Sequence, residues 1–235
     1  MKLLFIFLLS GFALQSSAQT VINDRNAEVR DVTSFSGIKV SGGIDVYLSQ
    51  GDEYALAVSA SDEKYRDGIK TEIKNGVLEI SYDGSPLRYR NRQLRAYISF
   101  TTLESIEASG ACEVTINGTL KTNSTDIELS GACTMKGAIE IPNLQLTLSG
   151  ASTVNMKGTV QNLKINASGA SDVKNYDLVT ENCVAELSGA SDVKLTVNQS
   201  ISAKASGASN LYFKGDPESK EVSTSGASNI SQRLD

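Results

Sequence analysis

Apolar and polar residues alternate along most of this chain, and the alternation is interrupted at a regular interval. Leu144, Leu146 and Leu148 stand against Gln145 and Thr147, and Leu163 and Ile165 against Lys164 and Asn166. Period two over a half-apolar run predicts strands with one buried face. Each run ends at the same four small residues: Ser-Gly-Ala-Cys from Ser109 and Ser130, then Ser-Gly-Ala-Ser from Ser149, Ser168, Ser188, Ser206 and Ser225. Three residues past each motif alanine the apolar column resumes, as Val114, Met135, Val154, Val173, Val193, Leu211 and Ile230. Two residues further, Ile116, Met156, Leu195 and Phe213 continue it, while Gly137, Asn175 and Gln232 break it.

The motif glycines are Gly110, Gly131, Gly150, Gly169, Gly189, Gly207 and Gly226, with successive spacings of 21, 19, 19, 20, 18 and 19. A period near twenty is the signature of a solenoid. No segment carries an apolar stripe at helical spacing, so the strands follow one another without crossover helices. The predicted fold class is all-β: a single-stranded parallel β-helix (solenoid) of about seven coils of 18–21 residues. In that architecture the motif is a corner. Glycine permits the unusual φ of a sharp bend, Ser and Ala are small enough to stack on themselves, and a serine hydroxyl can bond nearby backbone. A nucleophile is needed once, not seven times, so the repetition is read as shape rather than chemistry.

The chain before the array is β-rich but irregular. Residues 1–18, with one lysine, an apolar run over Leu3–Leu9 and small residues at Ser16 and Ala18, read as a secretory signal peptide. Residues 19–100 read as an N-terminal β-rich capping region and 101–235 as the repeat region, with 19–235 one continuous unit. Within the first part, "IKTEIKNGVLEISY" is a hairpin about Asn75-Gly76, and "SDEKYRDGI" is suited to a helical turn. Such a region would cover the open apolar end and free strand edges of the first coil.

Composition then removes several functions. The formal net charge is −5, which argues against nucleic acid as a partner. With no histidine, Ser-His-Asp and Cys-His machinery and His-ligated metals are excluded. No cofactor or metal site is expected, and no second stretch approaches transmembrane length. Asp172 and Asp192 fall in one column, but two carboxylates are too few ligands for a confident Ca²⁺ site. Cys112 and Cys133 share a motif position in consecutive coils, within reach of a disulfide but in a parallel geometry that strains one, and Cys183 falls in a buried column; the three suggest no redox chemistry.

One charged segment invites a binding role. "PLRYRNRQLRAY" carries Arg88, Arg90, Arg92 and Arg95, half of the chain's eight arginines. Guanidinium forks take carboxylate or phosphate bidentately, so this segment is a candidate site for an acidic glycan or a lipid headgroup. The competing explanation is a charged edge that deters strand pairing.

The stretch "FSGIKVSGGIDVYLSQG" with Gly43-Ile44-Asp45, the serial Ser-Gly-Ala corners and the closing "LYFKGDP" together resemble the putative auto-transporter adhesin, head GIN domain family over roughly residues 30–235. Asp45 stands where that name would have Asn. The resemblance implies an exported, β-solenoid-like adhesin head of the kind found in Bacteroidetes, and it brings no catalytic residues to carry over. The function expected is non-enzymatic binding of glycan or of a cell-envelope or surface protein, in the periplasm, at the outer-membrane surface or secreted. Two alternatives stand beside it. One is a polysaccharide lyase or hydrolase, for which Glu107, Glu128 and Glu186 are the available outward acids. The other is a structural or sensory envelope protein.

Overall fold

The computed structural model describes residues 24–84 and 92–234. The expected signal segment, and Arg88 and Arg90, lie outside them. Among the described residues, seventeen strands of one sheet wind into a column. The first group comprises β1 (Glu28–Arg30), β2 (Gly37–Val40), β3 (Asp45–Gln50), β4 (Ala55–Ser59), the short helix α1 (Glu63–Arg66), β5 (Ile69–Lys74), β6 (Val77–Tyr82), β7 (Arg95–Phe100) and β8 (Ser105–Ala108). The second group is β9 (Glu113–Lys121), β10 (Ser124–Leu129), β11 (Thr134–Leu148), β12 (Thr153–Ala167), β13 (Asp172–Leu187), β14 (Asp192–Ala205), β15 (Asn210–Lys214), β16 (Ser219–Thr224) and β17 (Asn229–Gln232).

The strands form two parallel walls joined at the Ser-Gly-Ala corners. The first wall, which leads into the corners, stacks β6, β2, β8, β10, the second halves of β11 to β14, and β16. The second wall, which leads away from them, stacks β7, β3, β9, the first halves of β11 to β14, then β15 and β17. Alternation therefore has its expected consequence. In one coil Leu144, Leu146 and Leu148 from the first wall meet Val154 and Met156 from the second, and all five are buried. The columns run vertically, as in Ile127, Leu146, Ile165, Ala185 and Ala203, which are register partners from coil to coil.

Chain order and stacking order differ at the N-terminal end. The β2–β3 rung, with its own Ser41-Gly42-Gly43 bend, lies between the β6–β7 rung and the β8–β9 rung. The detour is made by antiparallel pieces. β4 runs back against β7, β1 runs against β4, and β5 folds onto β6 through Asn75 and Gly76, both at positive φ as a two-residue hairpin turn requires. Asp62 caps α1 by accepting from the Lys64 N–H. These antiparallel strands lie on the outermost edges of both walls, where bare parallel strands would otherwise offer free N–H and C=O groups.

At the C-terminal end of the described stack the inward columns turn partly polar. Lys220, Val222 and Thr224 continue the inward column of Ile201, Ala203 and Ala205, and Ile230 and Gln232 continue that of Leu211 and Phe213. Lys220 Nζ donates to Gln232 Oε1 (3.1 Å) and Asp216 Oδ1 (3.2 Å). An inward charge at the end of a stack guards it against pairing with another chain. Replacing both residues (Lys220→Val with Gln232→Val) should produce species larger than the wild type in analytical ultracentrifugation at matched concentration. An unchanged sedimentation profile would remove the guard from the account.

Candidate functional site

The seven motifs stack directly over one another. Each motif alanine N–H donates to the carbonyl of the motif glycine one coil earlier, at 2.6–2.8 Å from Ala132 N–H to Gly110 through Ala227 N–H to Gly207. The glycines sit at positive φ, Gly169 at +75°. In the five later coils the motif's last serine points inward and its Oγ donates to the carbonyl of the first serine, from Ser152 to Ser149 (2.8 Å) through Ser228 to Ser225 (2.8 Å). Ser152, Ser171, Ser191 and Ser209 are fully buried, and these bonds satisfy hydroxyls that would otherwise be costly there. The first two coils carry Cys112 and Cys133 in the same position.

The polar relief beside the corners is ordered in the same way. Two residues before the motif serines runs an outward ladder of Glu79, Lys39, Glu107, Glu128, Thr147, Asn166, Glu186, Lys204 and Ser223, each the register partner of the next. Over its last five members the ladder and the motif serines Ser149 to Ser225 line an open groove of about 600 Å³. Glu186 and Lys204 are exposed neighbours there, and Glu186 is the groove's one carboxylate. A second open groove, of about 550 Å³, crosses the other wall between Thr115, Lys136, Asn155, Lys157, Asn175 and Asp177. Asn175 Nδ2 donates to Asn155 Oδ1 (2.7 Å) across its coils.

The acids and arginines singled out from the sequence fall in different places. Glu107 and Glu128 are adjacent rungs of the ladder, with Lys39 in a salt bridge to Glu107; Glu186 is separated from them by Thr147 and Asn166. Arg92 lies over the Tyr82 ring, 4.5 Å from its centroid. Arg95 Nη1 reaches Asp24 Oδ2 (3.4 Å), and the Tyr97 hydroxyl donates to the same oxygen (2.9 Å). Burial and the bond to Asp24 push the Tyr97 hydroxyl up to about 12, so it stays a donor. Tyr97 also stacks on Tyr47 of the neighbouring rung at 5.1 Å. Arg92 and Arg95, the two described arginines of that segment, thus both contact groups of the chain itself. Asp172 pairs with Lys174 Nζ (3.4 Å) and Asp192 accepts from Asn210 Nδ2 (2.7 Å).

Lys204 and Ser223 escaped the sequence reading although their position was regular: each lies two residues before a motif serine, as Thr147, Asn166 and Glu186 do. A second overlooked column stands six residues before the motif. Asn162 Nδ2 donates to Asn143 Oδ1 (2.9 Å), Asn182 Nδ2 to Asn162 Oδ1 (3.1 Å), and Ser200 Oγ to Asn182 Oδ1 (2.7 Å). Stacked amides of this kind tie one coil to the next along a polar edge.

Comparison with known proteins places this geometry. The family model described as "Putative auto-transporter adhesin, head GIN domain" matches residues 34–217. The chain belongs to that family. Among solved structures, a putative adhesin from Bacteroides fragilis NCTC 9343 is similar with a TM-score of 0.82 at 23% identity, over 88% of this chain and 96% of that one. A putative adhesin from Parabacteroides merdae ATCC 43184 follows at 0.68 and 15%, over 88% and 95%. A putative lipid binding protein from Parabacteroides distasonis ATCC 8503 gives 0.63 and 21%, over 88% and 98%. At these identities the likeness is one of fold. No curated protein matches the chain. Among the described residues of this head GIN chain, no helix is long and apolar enough to cross a membrane.

Proposed function

We propose that this head GIN protein is an exported, non-enzymatic binding module whose corner groove docks a glycan chain of the cell surface or envelope. One observation carries the reading: the hydroxyls of Ser149, Ser168, Ser188, Ser206 and Ser225 recur along the groove at the coil spacing of about 4.8 Å, each coil adding one further polar side chain beside them. Such a ladder suits a polymer that repeats its own polar groups, because each added unit meets another serine hydroxyl and affinity accumulates along the groove. A lyase or hydrolase would need clustered carboxylates over the bound chain, and this groove offers Glu186 alone among neutral side chains and Lys204.

The test is a glycan array probed with the wild type and with an Asn166→Ala/Lys204→Ala variant. Both residues are outside the core, so the variant should keep the wild-type Tm within about 2 °C while losing tenfold or more in affinity, about 1.4 kcal/mol. Undiminished binding by a folded variant would refute the groove. An Arg88→Ala/Arg90→Ala/Arg92→Ala variant tests the arginine segment separately. Loss of acidic glycans by that variant alone would move the site there. Phospholipid vesicles, included because one structural neighbour is named for lipid binding, should not compete for the groove.

A further inference from the structure

We propose that Cys112 and Cys133 are joined in the working protein by a disulfide that staples two stacked corners together. The two residues hold the same motif position in consecutive coils, and the backbone on either side of them is already paired: Ala132 N–H donates to Gly110 O (2.7 Å) and Thr134 N–H to Cys112 O (2.9 Å). Strand neighbours at about 4.8 Å lie inside the Cα separation that a disulfide spans. The thiols face each other in the core with Sγ atoms 2.7 Å apart, closer than two unbonded sulfurs settle and close to bonding distance.

The column itself shows that cysteine is not needed for the corner's shape. The five later coils place serine there, each hydroxyl bonded to the carbonyl three residues back. Cys133 makes the same contact through Sγ to Ser130 O (3.3 Å), so the pair retains the corner's local bond and adds a link across coils. The position of the link is also specific. Cys112 closes the corner between β8 and β9, next to the rung where stacking order departs from chain order, and Cys133 closes the next corner, between β10 and β11. The staple would therefore tie the N-terminal rungs to the regular array.

The chemistry is thiol–disulfide exchange with a disulfide oxidant, whether a small molecule or an oxidoreductase. One of the two cysteine thiols gives its proton to water, and its thiolate attacks one sulfur of the oxidant and expels the other as a thiolate, which takes a proton from water. The second cysteine gives its proton to water and attacks the sulfur of the first, expelling the second thiolate, which is protonated in turn. Two cysteine thiols lose two electrons and two protons, and the oxidant is reduced to two thiols. Both sulfurs are buried in the finished corner, so the exchange runs while these coils are closing.

The experiment refolds the full chain from denaturant in oxidised and reduced glutathione, then denatures it and alkylates free thiols. One label per chain, on Cys183, and a Cys112–Cys133 cross-linked peptide in the unreduced digest are expected. Reduction should return three labels. A Cys112→Ser/Cys133→Ser variant should melt about 5–10 °C below the oxidised wild type and show no response to reductant. Three labels per chain after refolding in glutathione, or a cross-link through Cys183, would overturn the proposal. The peptide map decides the matter even if the variant fails to fold.

Discussion

Gly169→Ala is expected to destabilise the protein by roughly 2–4 kcal/mol, whereas Gly76→Ala, at nearly the same φ, should cost only about 1–2. The two positions separate conformation from space. Gly169 has φ +75° and Gly76 φ +77°, so alanine carries a similar left-handed penalty at each. A Cβ on Gly76 would meet nothing within 4 Å, while one on Gly169 would lie 2.4 Å from Gly150 O and 3.0 Å from its N. Gly150 O is the acceptor of the Ala170 N–H across the coils, so relieving the overlap means lengthening that bond. Thermal unfolding of the two variants checks this. Equal Tm losses would show that the corner needs glycine for its φ alone and that close stacking contributes nothing.

Deleting one complete coil should leave a folded protein, and deleting half a coil should not. Removal of residues 150–168 joins Ser149 to Gly169, so the first-wall half of β11 leads into the corner of β13 and every column keeps its face. Stability in a stack is a sum over coils and their interfaces, so the shortened protein should keep its β circular dichroism and a cooperative transition, with Tm lower by a few degrees. Removal of residues 150–159 instead takes out a corner and the second-wall segment Thr153–Met156, leaving Leu144, Leu146 and Leu148 with nothing to face. That chain should lose its cooperative transition and become insoluble. A soluble, cooperative product from the half-coil deletion would mean that the coil is not the unit of the fold.

The overlooked glycines show what a motif search does not reach. Gly118, Gly158 and Gly215 each lie eight residues after a motif glycine, and all have positive φ. They share only that offset, it holds in three of the seven coils, and their flanking residues vary, so a search for a repeated motif passes over them. A Cβ on Gly158 would fall 1.9 Å from Ile139 O, closer than at any motif corner. The same limit applies to the candidate site. Thr147, Asn166 and Glu186 were legible as an outward column, because alternation assigns faces, but that they line a concave groove with Lys204 depends on the angle at which wall and corner meet. Arg92 and Arg95 read as available cations until Tyr82 and Asp24, distant in sequence, were found against them.

Local pattern was enough to specify the repeat, the strands, their buried faces and the corners, because each coil is its own neighbour's template and contacts one period away obey the periodicity itself. Tertiary structure alone decided the rung order of β2–β3 and β6–β7, the return of β4 against β7 and of β1 against β4, and the placing of Lys220 at the other end. Those features involve contacts made once, between segments that share no repeat, and a pairing that occurs once leaves no period in the chain.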